Sequence, residues 1–151
     1  MAEIQNTLGK ALNTQLANWA VSYFKLHHFH WFVKGEQFNV LHAKFEELYN
    51  MAASQLDELA ERMLTIGIRP ASSMKEYLAA ASIQENAGEQ ATAAEMLENV
   101  VADFTQMAKE LLEAADLAED QAGDIVTADL LREQVGELQK QVWMLNATLG
   151  K

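Results

Sequence analysis

The chain has no cysteine, so it contains neither disulfide bridges nor thiolate metal ligands, and any transition-metal site must use histidine and carboxylates. A single proline among 151 residues favours helices, because proline interrupts them. No apolar run approaches the roughly 20 residues that cross a bilayer, and residues 1–10 lack the apolar core of a signal peptide. We therefore expect a helical cytoplasmic protein that has no membrane segment.

Basic residues are also scarce. The chain has 11 lysines and arginines against 22 aspartates and glutamates, which gives a formal net charge of −11. Binding to the phosphate backbone of a nucleic acid requires clustered basic side chains, so this composition argues against tight DNA binding. An acidic protein attracts cations, although ordinary solubility is the simpler explanation of the charge taken alone.

Hydrophobic residues recur at steps of three and four and predict four long helices, with no competing strand pattern. The predicted helices cover residues 7–33, 39–66, 92–122 and 125–149. Asn39 is a plausible N-cap of the second helix. We expect the core-facing positions of the last two helices to include Leu112 and Ile125, and we also expect Trp143 to lie in the core.

Two capping boxes mark the region between the second and third long helices. Ser73–Glu76 predicts a short helix over residues 77–81 inside a long crossover, and Thr92–Glu95 predicts the start of the third helix. Two helices, a long crossover carrying a short helix and two further helices describe an all-α, ferritin-like four-helix bundle. No linker divides the chain, so we expect one domain over residues 1–151.

The second helix carries four side chains that commonly bind metals, and their spacing is symmetric. They are His42, Glu46, Asp57 and Glu61. The first and last are equidistant from a point between Met51 and Ala52, and so are the middle two. Two such helices, packed antiparallel across a two-fold axis, would bring the first pair of one chain against the second pair of the other.

Distance supports the need for a second chain. His42 and Asp57 are 15 residues apart, which is roughly 22 Å along one helix. Either each pair spaced by four residues forms its own weak site, or a neighbouring chain completes one site. The symmetry favours the neighbour, and so does the face itself, where Tyr49 and Ala53 lie among the ligands. Solvated acidic pairs remain the alternative for these residues.

His30 lies on the inward stripe of the first helix and would complete the set, although alone it is more readily explained as a packed core histidine. Imidazole with several carboxylates suits Fe(II), Mn(II) or Zn(II) and leaves positions open to an oxidant. The chain contains no Glu-x-x-His motif, which argues against a di-iron site inside one bundle.

Several long motifs resemble the Dps family, the mini-ferritins of bacteria. They are Lys25–Gly35 (KLHHFHWFVKG), Leu41–Tyr49 (LHAKFEELY), Leu56–Arg62 (LDELAER), Ile66–Gly67, Lys75–Leu78 and Trp143–Gly150. The resemblance covers nearly the whole chain and implies a hollow homo-dodecamer of four-helix bundles, with the short crossover helix at a two-fold interface. It also implies ferroxidase centres at that interface that bind iron, two ions per centre. One chain supplies His30, His42 and Glu46, where the family commonly has Asp, and its neighbour supplies Asp57 and Glu61.

The resemblance further implies an enzyme, a ferroxidase that oxidises Fe(II) with hydrogen peroxide in preference to dioxygen. Such a protein stores ferric mineral in its cavity and protects against oxidative damage. Trp31 resembles the family's tryptophan beside the centre, where it intercepts oxidising equivalents, and simple packing explains it equally well. Asp120, Asp124 and Asp129 are the candidates for a pore that admits iron, and Asp124 is equally explained as a helix N-cap.

Two other functions remain open. The protein could coat DNA as a nucleoid-associated protein whose metal site is secondary. The charge and the lack of a lysine-rich terminal extension indicate weak or absent DNA binding. It could also be a structural helical bundle that binds no metal.

Overall fold

The computed structural model describes residues 2–86 and 91–151, which form five α-helices and one π-helical turn. The helices are α1 (Ala2–Phe32), α2 (Phe38–Thr65), α3 (Met74–Ala80), α4 (Ala93–Asp116) and α5 (Ile125–Thr148), and the π-helical turn is Leu117–Gln121. Within those two ranges no strand occurs. None of the described helices combines the length and the apolar character that crossing a bilayer requires.

The helices pair as two hairpins that face each other. α1 packs along α2, α4 packs along α5, and contacts of α1 with α4 and of α2 with α5 join the hairpins. Trp19 of α1 is fully buried, and its indole nitrogen donates to Oε1 of Gln134 on α5 at 3.0 Å. The rings of Phe29 and Phe45 lie 5.6 Å apart in the core between α1 and α2. This arrangement confirms the predicted all-α bundle with a crossover helix.

The crossover is fixed to the bundle by buried polar side chains of α1. Oδ1 of Asn18 accepts the backbone N–H of Ser82 at 2.9 Å. The ammonium group of Lys25 donates to the carbonyl of Gln84 at 2.8 Å and to the carboxylate of Asp103 at 2.7 Å. Because buried polar groups cost free energy unless they are paired, these bonds determine where the crossover passes over α1 and α4.

Both predicted capping boxes mark real helix starts. The side chain of Ser73 accepts from the backbone N–H of Glu76, and α3 begins at Met74, earlier than the expected 77. Thr92 and Glu95 form both bonds of the box at the start of α4. Asp124 caps α5 by accepting the backbone N–H of Thr127 at 3.0 Å.

The predicted N-cap at Asn39 is wrong. α2 begins at Phe38, and Gln37 occupies the cap position without a side-chain bond. The backbone N–H of Phe38 bonds to the carbonyl of Gly35 at 3.1 Å, so the turn after α1 leads directly into α2. The N–H of Leu41, which a cap at Asn39 would bind, already bonds to the carbonyl of Gln37 at 2.9 Å. At the other end, Gly67 has a positive φ of 80°, which lets the N–H of Ile68 close the helix.

Three positions expected to face the core are exposed. Trp143 is 68% exposed, Ile125 56% and Leu112 39%. Trp143 precedes the buried Leu145 by two residues, which is about 200° around a helix, so it points away from the bundle. Leu112 follows the buried Leu111 at the edge of the apolar stripe, and Ile125 is the first residue of α5. Hydrophobicity alone did not distinguish the core from an apolar outer surface.

Candidate metal centre

Two histidines stack where α1 meets α2. His30 lies in the last turn of α1 and is buried, and His42 lies in the second turn of α2. The short turn between the helices reverses the chain, so these residues face each other. Their ring centroids are 3.6 Å apart with an interplanar angle of 19°.

Reciprocal hydrogen bonds fix the tautomer of both rings. Nδ1 of His30 donates to the carbonyl of His42, and Nδ1 of His42 donates to the carbonyl of His30, both at 2.7 Å. A carbonyl oxygen only accepts, so each neutral ring carries its proton on Nδ1 and keeps the lone pair on Nε2. Histidines that bind metals commonly donate their other nitrogen to a backbone carbonyl in this way. Each ring therefore presents an Nε2 lone pair that can bind a metal ion.

Glu46 follows His42 by one helical turn and is exposed. Its Oε1 accepts the hydroxyl of Tyr49 at 3.3 Å. Burial and, next, the neighbouring Glu46 carboxylate raise the pKa of the Tyr49 hydroxyl. The phenol therefore stays protonated at neutral pH and is the donor in this bond.

The Tyr49 ring is held by α1. It stacks on His27 with centroids 3.6 Å apart and meets His30 edge-on at 5.3 Å. Nδ1 of His27 donates to the carbonyl of Tyr23 at 2.7 Å. Sequence reasoning had placed Tyr49 on the ligand face but missed these contacts. The signal was its position three residues after Glu46 and the position of His27 three residues before His30.

Asp57 and Glu61 lie farther along α2, and both are exposed. Neither forms a salt bridge within residues 2–86 and 91–151, and Glu46 forms none there either. In the described part of the chain, no three His, Asp or Glu side chains lie close enough together to hold a metal ion. A single chain therefore presents two separate half-sites on one helix.

An apolar groove lies between the half-sites. It is lined by Ala20, Tyr23, Phe24, Ala53, Leu56 and Tyr77, from α1, α2 and α3. Ala53 and Leu56 fall between Glu46 and Asp57 on α2. Phe24 is 55% exposed, which is unusual for so large an apolar side chain. The groove thus separates the carboxylate of Glu46 from those of Asp57 and Glu61 along α2.

Trp31 is next to the histidine pair but is not packed in the core. It is 64% exposed, and its ring centroid is 5.4 Å from that of His27. Packing within the chain therefore does not explain this tryptophan.

The three residues assigned to a pore differ in their surroundings. Asp124 caps α5 and accepts the guanidinium of Arg62 at 3.1 Å. Burial alone would raise the pKa of Asp124, but the bonds from Thr127 and the charge of Arg62 together lower it. Asp120 in the π-helical turn and Asp129 on α5 are exposed. Asp124 thus has a structural role in the subunit, whereas the other two carboxylates face outward.

Comparison with known proteins identifies the family. The ferritin-like domain model matches residues 9–151. General stress protein 20U of Bacillus subtilis is 49% identical over 93% of this chain and 96% of its own length. The crystal structure of a Dps protein from Bacillus brevis is 48% identical, with a TM-score of 0.93 over 97% of both chains. Dps from Vibrio cholerae O1, described as a ferritin-like diiron-carboxylate protein, is 37% identical, with a TM-score of 0.91 over 97% of this chain and 91% of that one. The chain belongs to the Dps family of the ferritin-like superfamily.

Proposed function

We propose that this protein is a mini-ferritin that oxidises Fe(II) at centres formed between two subunits and stores the ferric product. The observation that carries the proposal is the pair of reciprocal hydrogen bonds between His30 and His42. They leave the Nε2 lone pair of each ring free to bind a metal ion, and Glu46 follows His42 by one helical turn. The proposed centre is completed by Asp57 and Glu61 of a second subunit.

The surface of α2 supports this pairing. Antiparallel packing of two α2 helices about the point between Met51 and Ala52 buries the apolar groove of each subunit. The same two-fold rotation brings the His42 end of one helix to the Glu61 end of the other, and it creates two equivalent centres per pair. Family resemblance extends this pair to a hollow dodecamer whose cavity receives the mineral.

The side chains suit Fe(II) as the substrate. Two neutral imidazoles and three carboxylates provide nitrogen and oxygen ligands, and the negative carboxylates offset the charge that iron gains on oxidation. The net reaction takes two Fe(II), one hydrogen peroxide and two protons to two Fe(III) and two water molecules. Transfer of both electrons at one centre prevents the release of hydroxyl radical. The preference for peroxide over dioxygen in this proposal rests on the family resemblance.

Residues around the centre have supporting roles in this proposal. Trp31 follows His30 in the sequence, and its ring lies 5.4 Å from that of His27; it donates an electron when only one Fe(II) is bound, so that oxidising equivalents do not escape. Asp120 and Asp129 attract Fe(II) to a pore, since exposed carboxylates concentrate cations. The name of relatives such as the DNA protection during starvation protein of Brevibacillus brevis supports a protective role.

A double variant tests the centre directly. His30→Ala with His42→Ala removes both imidazoles, and we expect the initial rate of peroxide-driven Fe(II) oxidation to fall by more than about 100-fold. His28→Ala is the matched control, because His28 also lies on α1 but its ring packs against Phe32. Light scattering must show that all three proteins assemble. An assembled double variant with an unchanged rate would refute the site.

DNA coating is the second candidate, and the names of several relatives favour it. The net charge of −11 per chain opposes it, because an acidic shell repels phosphate. We expect no gel shift of DNA at low salt in the absence of divalent ions. Tight, salt-sensitive binding under those conditions would favour the nucleoid function over this electrostatic reasoning.

A further inference from the structure

We propose that Tyr49 is a positioning residue, which holds the Glu46 carboxylate where it meets the metal, and that α1 holds Tyr49 in turn through His27. This inference rests on the proposed function and adds a residue to the centre. Glu46 is the most exposed of the three ligands that one subunit supplies, so its carboxylate needs a group that keeps it in place.

Glu46 needs such support more than the histidines do. Each histidine is fixed by a hydrogen bond from Nδ1 to a carbonyl, whereas Glu46 is exposed and has three rotatable side-chain bonds. A ligand that rotates freely must lose that freedom when the metal binds, which lowers affinity. Tyr49 lies one turn ahead on the same face of α2 and donates to Oε1 of Glu46 at 3.3 Å.

Tyr49 is itself held in place, so its hydroxyl is a fixed donor. Its ring lies parallel to that of His27, with an interplanar angle of 15°, and perpendicular to that of His30, at 87°. His27 cannot turn freely, because its Nδ1 bonds to the carbonyl of Tyr23. The phenol thus joins two ligands from different helices, His30 on α1 and Glu46 on α2.

The arrangement predicts that the Tyr49 hydroxyl and the Glu46 carboxylate affect metal affinity together, so that the effect of one depends on the other. Removing a group that orients a metal ligand typically weakens metal affinity by about 10- to 100-fold. We expect the lower end of this range, about tenfold, because the hydroxyl bonds to one ligand only. The loss must disappear when Glu46 is shortened, since an aspartate at this position no longer reaches the hydroxyl.

Zn(II) is the probe, because it is not oxidised and therefore reports binding apart from turnover. Calorimetric titration of the metal-free, assembled protein with Zn(II) gives the affinity of each class of binding site. The sites that the wild type has and the His30→Ala/His42→Ala variant lacks are assigned to the proposed centre. The variants are Tyr49→Phe, Glu46→Asp and their combination. Tyr23→Phe is the matched control, because it removes a hydroxyl from the same aromatic cluster but retains the carbonyl that binds His27.

The expected result is about a tenfold loss of affinity in Tyr49→Phe, no change in Tyr23→Phe, and less than about a twofold effect of Tyr49→Phe in the Glu46→Asp background. If Tyr49→Phe binds as tightly as the wild type, or loses the same factor in both backgrounds, the positioning role is overturned and the proposed function stands. If the wild-type protein binds no Zn(II) at these sites, both are overturned. Should Tyr49→Phe not assemble, His27→Ala, which removes the ring that holds Tyr49, decides in its place. A loss of affinity that disappears in the Glu46→Asp background supports the inference, and no loss, or the same loss in both backgrounds, overturns it.

Discussion

The division of the proposed centre between subunits can be tested by complementation. One variant carries His30→Ala and His42→Ala, and the other carries Asp57→Ala and Glu61→Ala. Each variant alone lacks half of every centre. In a mixed pair, however, the intact histidines of one subunit meet the intact carboxylates of the other, so one complete centre is restored.

The magnitude of the recovery follows from the symmetry. Random pairing of equal amounts makes about half of all pairs mixed, and each mixed pair has one complete centre and one that lacks all the substituted ligands. About one quarter of all centres are therefore complete. If instead one chain bound metal with its own residues, every chain would be defective and mixing would restore nothing.

Co-expression with two different affinity tags isolates the mixed oligomers, and mass spectrometry gives their composition. The assay is the initial rate of Fe(II) oxidation by peroxide per subunit, compared with the wild type and with each variant alone. Recovery near one quarter of the wild-type rate supports the shared centre. The reasoning is refuted if verified mixed oligomers are as inactive as their parents, or if either parent alone retains the wild-type rate.

Three further predictions concern stability, and thermal or denaturant unfolding of the assembled protein checks each. Phe104→Ala empties a fully buried position and should cost about 3–5 kcal/mol; a cost under about 1 kcal/mol would contradict the described core. Asp124→Ala removes the cap of α5 and should cost about 1–2 kcal/mol at neutral pH, and Asp124→Asn, which still caps, should cost less. Because the folded-state pKa of Asp124 lies below its ordinary 3.8, this contribution is complete above 3.8 and is lost as the pH falls through the folded value. Asp124→Ala and the wild type should therefore converge in acid, and a constant difference would count against the assignment. Lys25→Met leaves Asp103 without its cation and should cost about 2–4 kcal/mol, most of which Lys25→Met/Asp103→Leu should recover.

The helix boundaries were predictable where the signal is local. Ser73 and Thr92 each accept a hydrogen bond from a backbone N–H three residues ahead, so four consecutive residues are enough to predict the helix start. The N-cap predicted at Asn39 is wrong because the turn after Gly35 starts α2 earlier, at Phe38, and that turn depends on how α1 ends. The π-helical turn Leu117–Gln121 had no periodic signature, since one widened turn hardly changes the spacing of apolar residues.

In the candidate site, too, the local features could be predicted from the sequence and the contacts between helices could not. The separation of His42 and Glu46 from Asp57 and Glu61 could be predicted, because one helix, Phe38–Thr65, converts sequence spacing into distance. The stacking of His30 on His42 could not, since it depends on the short connection that brings α1 against α2. The same holds for Tyr49, whose hydroxyl contact is local but whose ring is held by His27 on the other helix. The outward position of Trp143 was missed because hydrophobicity alone does not show which side of a helix faces the core.

Splitting the ligands between subunits also controls the chemistry of the proposed enzyme. In this proposal a free subunit offers iron only His30, His42 and Glu46, where a single Fe(II) supplies one of the two electrons that peroxide takes up and Trp31 has to supply the other. Paired oxidation requires Asp57 and Glu61 of the neighbour, so it is confined to assembled protein. In the proposed pair, the apolar groove around Ala53 lies between the two groups of ligands on α2, and packing of this groove against its copy would set the register of the two helices. Because a shift of one residue moves a ligand by about 1.5 Å along the axis, that register would decide whether both centres of the pair are complete.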